Sequence, residues 1–342
     1  LESVLESTRA RAAGPMFSFL VGGMLPLPRH ASRGALLLGR AAVPPRLVGP
    51  WLCASGTAEA AAPTCPLPDG ILVVQKPQNW TSFDVVAKVR NTLQDHLRGH
   101  GHKFTGRKKL KVGHGGTLDP MATGLLVIGV GKGCRALEGY LKGAKSYAAV
   151  AQLGSETDSQ DAEGSVIKHA PYEHVTEDAL REAAVALTGD ILQRPPIFSA
   201  IKRDGKRMYD LARKGEVTEE EMVPRKVTVH ELRVSGLDPA TGTFALHVRC
   251  GGGTYVRTLI VDLARAVGSG AHMCALERTH NGPFHVCVDG APPLSEARKV
   301  RPVTQPEFSD VPRLYEAMGE AEQVLKALEE DRDDDGEDDG AP

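Results

Sequence analysis

From Val112 to Gly124 the chain reads Val-Gly-His-Gly-Gly-Thr-Leu-Asp-Pro-Met-Ala-Thr-Gly, four glycines and one proline in thirteen residues. Neither a helix nor a sheet interior tolerates this, because glycine carries a large entropic cost on ordering and proline removes a backbone donor. The stretch is a loop, and the apolar run Leu125 to Val130 after it reads as a buried strand. One carboxylate, Asp119, stands inside the loop between Leu118 and Pro120. An Asp in such a setting either caps its own backbone or faces a ligand, and the residues alone leave both readings open.

The flanking sequence supplies further elements. Gly70 to Pro77 predicts a short strand stopped by Pro77. Thr81 or Ser82 is placed to cap a helix whose Val86, Val89 and Leu93 follow helical spacing, and which fades by Leu97. Gly129-Val-Gly-Lys-Gly133 predicts a tight turn, Cys134 to Leu141 a helix, and Lys145 to Leu153 a strand. The segment Gly154 to Gly164 is polar and turn-like. Thr176 caps a helix with Glu177 and Asp178 in its first turn, and Gly189 ends it. Strand patterns follow at Val227 to Val234, Thr243 to Cys250, His272 to Arg278 and Phe284 to Val288. A helix capped by Thr254 follows Gly251-Gly-Gly, and an amphipathic helix runs from Arg313 to Glu330. Strands and helices mix without regular βαβ alternation, so the fold class is α+β.

At 342 residues the chain is long enough for two domains, or one large domain with appendages, at ~150 residues each. The division read here is a leader at 1–68, a main domain at 69–292, a C-terminal extension at 293–328 and an acidic tail at 329–342. The formal charge of −2 is unevenly spread: Glu329 to Asp339 holds nine acidic residues and one Arg, a local −8, which leaves +6 elsewhere. From Ser7 to Ala58 there are six Arg and no Asp or Glu, the composition of an organelle transit peptide, so mitochondrion or plastid is expected, with cytosol or nucleus as the alternative. Arg98 to Lys111 carries six Lys or Arg and no acid, and reads as an exposed basic loop. The apolar runs are too short to predict a membrane span. Six cysteines at irregular spacing suggest neither a disulfide framework nor a zinc ribbon.

Several familiar chemistries fall away. Gly129-x-Gly-x-Gly133 has Cys134 where a dinucleotide fingerprint needs glycine, and Lys132 is followed by Gly133, so no P-loop forms. His272/Cys274 and His285/Cys287 match no common zinc spacing. H-E-x-x-H and G-x-S-x-G are absent.

The loop His114-x-Gly-x-Leu-Asp119-Pro-x-Ala-x-Gly124 resembles the catalytic loop of TruB-type tRNA pseudouridine synthases. Lys76-Pro77 with Thr81-Ser82, Lys145-Ser-Tyr147, Leu153-Gly-x-x-Thr157-Asp-x-x-Asp161-Ala-x-Gly164, Pro195 to Lys202, Arg225-x-Val227-x-Val229 and Gly253-Thr-Tyr-Val-Arg-Thr258 occur in that family's order. The likeness runs from about Gly70 to Val288. It departs at Phe198, where the family usually has Tyr, and no segment here resembles the PUA domain of bacterial members, as in eukaryotic members that lack it.

The resemblance implies a pseudouridine synthase fold, a mixed and mostly antiparallel central sheet flanked by helices and loops around an RNA-binding cleft. It implies isomerisation of uridine 55 in the T loop of tRNA, with T-loop-like mRNA sites as a further substrate class. Asp119 would be the catalytic carboxylate, as nucleophile or base, Arg257 its partner, and Tyr147 the ring that stacks on the uracil and passes a proton. His114, Tyr255, Leu276, Asp161 and Lys76 would contact substrate, and Lys108, Lys109 and Lys111 the RNA backbone. No cofactor and no metal are expected, the partner is tRNA through its T arm, and the protein would be a monomer. The alternative is a tRNA-binding or tRNA-folding protein that needs no isomerisation.

Overall fold

The structure, a computed structural model, describes residues 65–105, 109–199, 201–203, 205–286 and 298–334. The leader up to Thr64, Lys108 and the end of the acidic tail lie outside the described residues.

A ten-stranded sheet organises the chain. Strand β1 (Gly70–Lys76) is followed by α1 (Ser82–Gly99), the short β2 (Val112–His114) and β3 (Thr123–Val130). A 3-10 turn at Gly131–Arg135 leads to α2 (Leu137–Lys142), β4 (Lys145–Leu153), and a side hairpin of β5 (Ser155–Thr157) and β6 (Val166–His169). Then come α3 (Glu177–Ala186), β7 (Gly189–Gln193), a small hairpin β8 (Lys202–Arg203) and β9 (Lys206–Arg207), and α4 (Met208–Ala212). The last third holds β10 (Arg225–Asp238), β11 (Thr243–Cys250), α5 (Val256–Ala266), β12 (Ala271–Asn281), β13 (Phe284–His285), β14 (Arg298–Lys299) and α6 (Val311–Asp334). The main path is β1-β3-β12-β4-β11-β10-β7; its pairings are antiparallel except β3 with β12. Mixed helices and a mostly antiparallel sheet are what the α+β reading expects.

Two packing arrangements hold this sheet. In β4 the alternation Tyr147, Ala149, Ala151, Leu153 sends one face toward α5 and α3, where Leu259, Ile260, Leu263, Leu180 and Ala184 meet Phe244, Leu246 and Val248 of β11. Around β1 and β3, α1 delivers Val85, Val86, Val89, Leu93 and Leu97, while the chain after β14 adds Val303, Phe308, Leu314 and Met318. Residues expected as a C-terminal extension thus complete a core begun at residue 72. Helix α1 starts at a capping box: Thr81 Oγ1 accepts from Asp84 N at 3.1 Å and Asp84 Oδ2 accepts from Thr81 N at 2.9 Å.

Several boundaries differ from the sequence pattern. Val112–His114 is a strand on β3 rather than part of the loop, because Gly113 can lie flat against Gly129. The expected Cys134 to Leu141 helix is a 3-10 turn followed by α2. Gly154 to Gly164 contains β5, and β7 was not visible in the sequence because its pattern is short and half polar. The basic segment is less open than expected: Arg98 is helical and pairs with Asp95 at 2.6 Å, and Leu110 is buried with its N–H on Gln94 Oε1 at 2.9 Å.

Phe308 is fully buried against Trp80 and α1. Phe308→Ala is expected to cost about 3–5 kcal/mol, read as a lowered urea midpoint at unchanged slope. A shift under about 0.5 kcal/mol, the size of an ordinary surface change, would mean that the segment after β14 does not belong to the core.

Candidate active site

Asp119 is held by its neighbours. Leu118 N donates to Ser82 Oγ at 2.8 Å, and the same hydroxyl lies 3.2 Å from Leu118 O. Pro120 O accepts from Asn79 N at 2.8 Å and from Lys76 Nζ at 3.1 Å. Asp119 O accepts from Ala122 N at 3.1 Å. The backbone is therefore pinned on both sides of the carboxylate, by groups from β1 and the start of α1.

Lys76, read as a substrate contact, sits under the loop that carries Asp119. It is fully buried, and its ammonium donates to Pro77 O at 2.9 Å, Trp80 O at 2.6 Å and Pro120 O. Three donors meet three carbonyls, so no hydrogen remains for a ligand. Burial pushes its pKa down to about 8. Lys76 is a positioning residue for the loop.

The last glycine of the loop is needed for close approach. Gly124 has φ +106°, and a Cβ there would meet Arg278 O at 2.3 Å and Arg278 N at 2.4 Å. Only glycine lets β3 pair with β12 at Gly124–Arg278, which brings the loop against the wall of the site.

Arg257, near the start of α5, is 4% exposed. Its Nε lies 2.9 Å from Asp119 Oδ2 and its Nη2 donates to Asp119 Oδ1 at 3.3 Å, a fork on one carboxylate. The remaining donors reach Ser159 O at 2.7 Å and Phe198 O at 3.0 Å, with Asp161 Oδ2 at 3.7 Å. Phe198 thus serves through its backbone carbonyl, which a Tyr-to-Phe difference leaves untouched. Asp161 stands behind Arg257, its Oδ1 accepting from Ser159 Oγ at 2.6 Å and Glu163 N at 3.1 Å, instead of facing open space. Gln160, between the two, has φ +64°, a conformation that non-glycine residues adopt rarely and that the surrounding bonds hold in place.

Thr254 was expected to cap α5. Instead Tyr255 is the cap residue, Thr254 Oγ1 donates to Gly251 O at 3.1 Å, and the buried Gln193 amide grips the Tyr255 backbone, accepting from its N–H at 2.8 Å and donating to its carbonyl at 3.1 Å. Arg257 still falls in the first turn of α5.

These elements enclose a cleft of about 290 Å³ lined by Asp119, Tyr147, Tyr255, Arg257 and Leu276. Tyr147 on β4 sits in register between Val248 on β11 and Arg278 on β12. Burial raises the pKa of both Tyr147 and Tyr255, so each ring is uncharged at neutral pH. Two cationic wall residues escaped the sequence reading. Arg278 is 1% exposed and donates to Leu125 O at 2.7 Å and Gly116 O at 3.1 Å, and Lys145 Nζ donates to Gly143 O at 2.6 Å and Leu141 O at 2.8 Å. Strand alternation could have found the first, because Arg278 shares a face with Leu276.

His114 ends β2 opposite Ile128 and is not among the residues lining the cleft. Lys109 and Lys111 are exposed. A second hollow of about 340 Å³, sharing no residue with the first, is lined by Asp69, Lys111, Lys132 and Arg135. No helix among the described residues is long and apolar enough to cross a membrane.

Comparison with known proteins meets this geometry. The N-terminal domain of the TruB family pseudouridylate synthases matches residues 102–256. The tRNA pseudouridine synthase B of Thermobifida fusca is 42% identical over 267 residues, 75% of this chain and 85% of that protein. That of Aromatoleum aromaticum is 44% identical over 218 residues, and the human Pseudouridylate synthase TRUB1 39% over 217; of these two the chain spans 65% and 61%. Among solved structures, a chain of a Cbf5-Nop10-Gar1 complex aligns with TM-score 0.48 at 25% identity, over 76% of this chain and 59% of that one. At 42% identity over most of the Thermobifida fusca protein, this chain belongs to the TruB family of pseudouridylate synthases and is an isomerase.

Proposed function

We propose that the protein converts uridine 55 in the T loop of tRNA to pseudouridine, with T-loop-like mRNA sites as a second substrate class. The observation that carries this reading is the Asp119–Arg257 fork opening into a cleft walled by Tyr147, Tyr255 and Leu276. In the reaction the N1–C1′ bond breaks, the uracil turns, a C5–C1′ bond forms, and the C5 hydrogen leaves as a proton while N1 gains one. No redox equivalent enters or leaves. The uridine must leave its stack first, at a cost of a few kcal/mol that a stacking pocket offsets.

Each side chain has a task in this scheme. Asp119 keeps a third of its side chain exposed while Arg257 holds the other side, so the carboxylate is oriented yet reachable. It acts on the ribose or uracil as nucleophile, or on the sugar as base. Tyr147 and Tyr255 offer neutral rings, and Leu276 an apolar wall. Arg278 and Lys145 add positive potential suited to the negative charge of RNA. Lys108, Lys109 and Lys111, with the Lys132 and Arg135 hollow, would supply contacts to phosphates. The acid-free, Arg-bearing stretch 7–58 supports delivery to mitochondrion or plastid.

Tritium release from a T-arm stem-loop labelled at uracil C5 tests the chemistry. Asp119→Asn is expected to lose at least ~10²–10⁴-fold in rate with stem-loop affinity nearly unchanged. Release by that variant at the wild-type rate would remove Asp119 from the reaction, and tight binding without release by the wild type would favour a binding or folding role.

Neutralising Lys109 and Lys111 to Gln should weaken stem-loop binding and reduce the slope of log affinity against log salt by about 0.7–0.9 for each phosphate no longer neutralised. An unchanged slope would place these side chains off the RNA. Residues 1–68 fused to a fluorescent protein are expected to concentrate it in an organelle, and a diffuse signal would withdraw that destination.

A further inference from the structure

At the last turn of α1, His96 and His100 lie four residues apart, so both rings project from one face. Cys65, just before β1, brings its thiol to them: Sγ is 3.8 Å from His96 Nε2, and one ligand atom from each of the three residues lies within 4.8 Å of the others. We propose that Cys65, His96 and His100 bind a Zn(II) ion, at a site separate from the cleft and not required by the isomerisation.

The chemistry of the donors fits. Zn–S at about 2.3 Å and Zn–N at about 2.0–2.1 Å in a tetrahedron place S and N roughly 3.6 Å apart, close to the spacing already present. His100 Nδ1 lies 3.0 Å from His96 O, a contact that puts the proton on Nδ1 and leaves Nε2 with a free lone pair. Outside this set, His102 Nε2 holds Cys65 O at 2.6 Å, fixing the backbone that presents the thiol. The carbonyl end of α1 favours a cation there. Tyr315 on α6 lies beside the set, its ring edge-on to that of His96 with centroids 6.4 Å apart and its hydroxyl buried against the Cys65 thiol. Three protein ligands leave the fourth position to water. Binding converts the Cys65 thiol to thiolate and releases its proton to solvent.

The ion would tie the chain before β1 to the end of α1, where the basic segment begins, beside α6. It would act as a staple at the root of the surface proposed to meet RNA. The assignment of the metal site stands whether or not the RNA reading holds.

The test uses the full chain stripped with a chelator and titrated with Zn(II) against a chromophoric competitor, and separately with Co(II). One equivalent of Zn(II) is expected to bind, and Co(II) to give thiolate-to-metal absorption with tetrahedral d–d bands. Cys65→Ser should abolish the thiolate band, and His100→Ala, which alters an exposed side chain, should weaken Zn(II) by at least about 100-fold, more than a lost outer-shell partner costs. Cys274→Ser should bind as wild type. Equal Zn(II) affinity in wild type, Cys65→Ser and His100→Ala, or a cobalt spectrum without thiolate absorption in the wild type, overturns the proposal.

Discussion

A guanidinium that is 4% exposed has to satisfy its donors inside the protein, and Arg257 does so on three separate stretches of chain: the loop before β3, the turn at Ser159 to Asp161, and Phe198. Leaving a buried charge without its partner typically costs 3–5 kcal/mol, so each of those stretches is constrained to meet α5 at one geometry. The sheet order follows the same demand. Placing β12 between β3 and β4 puts the Asp119 loop, Tyr147 and Arg278 beside one another and opposite the start of α5.

The pair is asymmetric, and the asymmetry suits chemistry on a bound base. Arg257 is nearly buried at the cleft wall, while Asp119 keeps a third of its side chain open. A carboxylate so held loses little further freedom when a substrate arrives, since Ser82, Asn79 and Lys76 already fix the backbone around it. Both the carboxylate and its loop are thus held by bonds within the protein before any ligand arrives.

Much of this was legible beforehand because it is local. Glycine spacing marks the loop, the apolar run in Lys145 to Leu153 marks β4, and Thr81 or Ser82 marks the start of α1. The pairing of Asp119 with Arg257 came from the resemblance, since the two are 138 positions apart and no periodicity links them. What stayed hidden depends on tertiary contacts. Lys76 reads as a cation free for a ligand until its three carbonyls are seen. Gln193 looks like any strand residue until its amide closes on the Tyr255 backbone. Thr254 has the right side chain for a cap, yet its hydroxyl donates back to Gly251 O and Tyr255 takes the cap position.

The chain after β14 bears on the site through β1. That strand ends the main path of the sheet, and an edge strand offers unpaired backbone groups to any neighbour. Val303 covers it: Gln75 N donates to Val303 O at 2.9 Å and Val303 N to Val73 O at 3.0 Å. The next residue along β1 is Lys76, whose ammonium holds Pro120. Packing of Phe308, Leu314 and Met318 behind β1 and α1 therefore steadies the residues that pin Asp119, although none of them lines the cleft. The C-terminal segment closes the sheet edge and braces the Asp119 loop through the same pair of backbone hydrogen bonds.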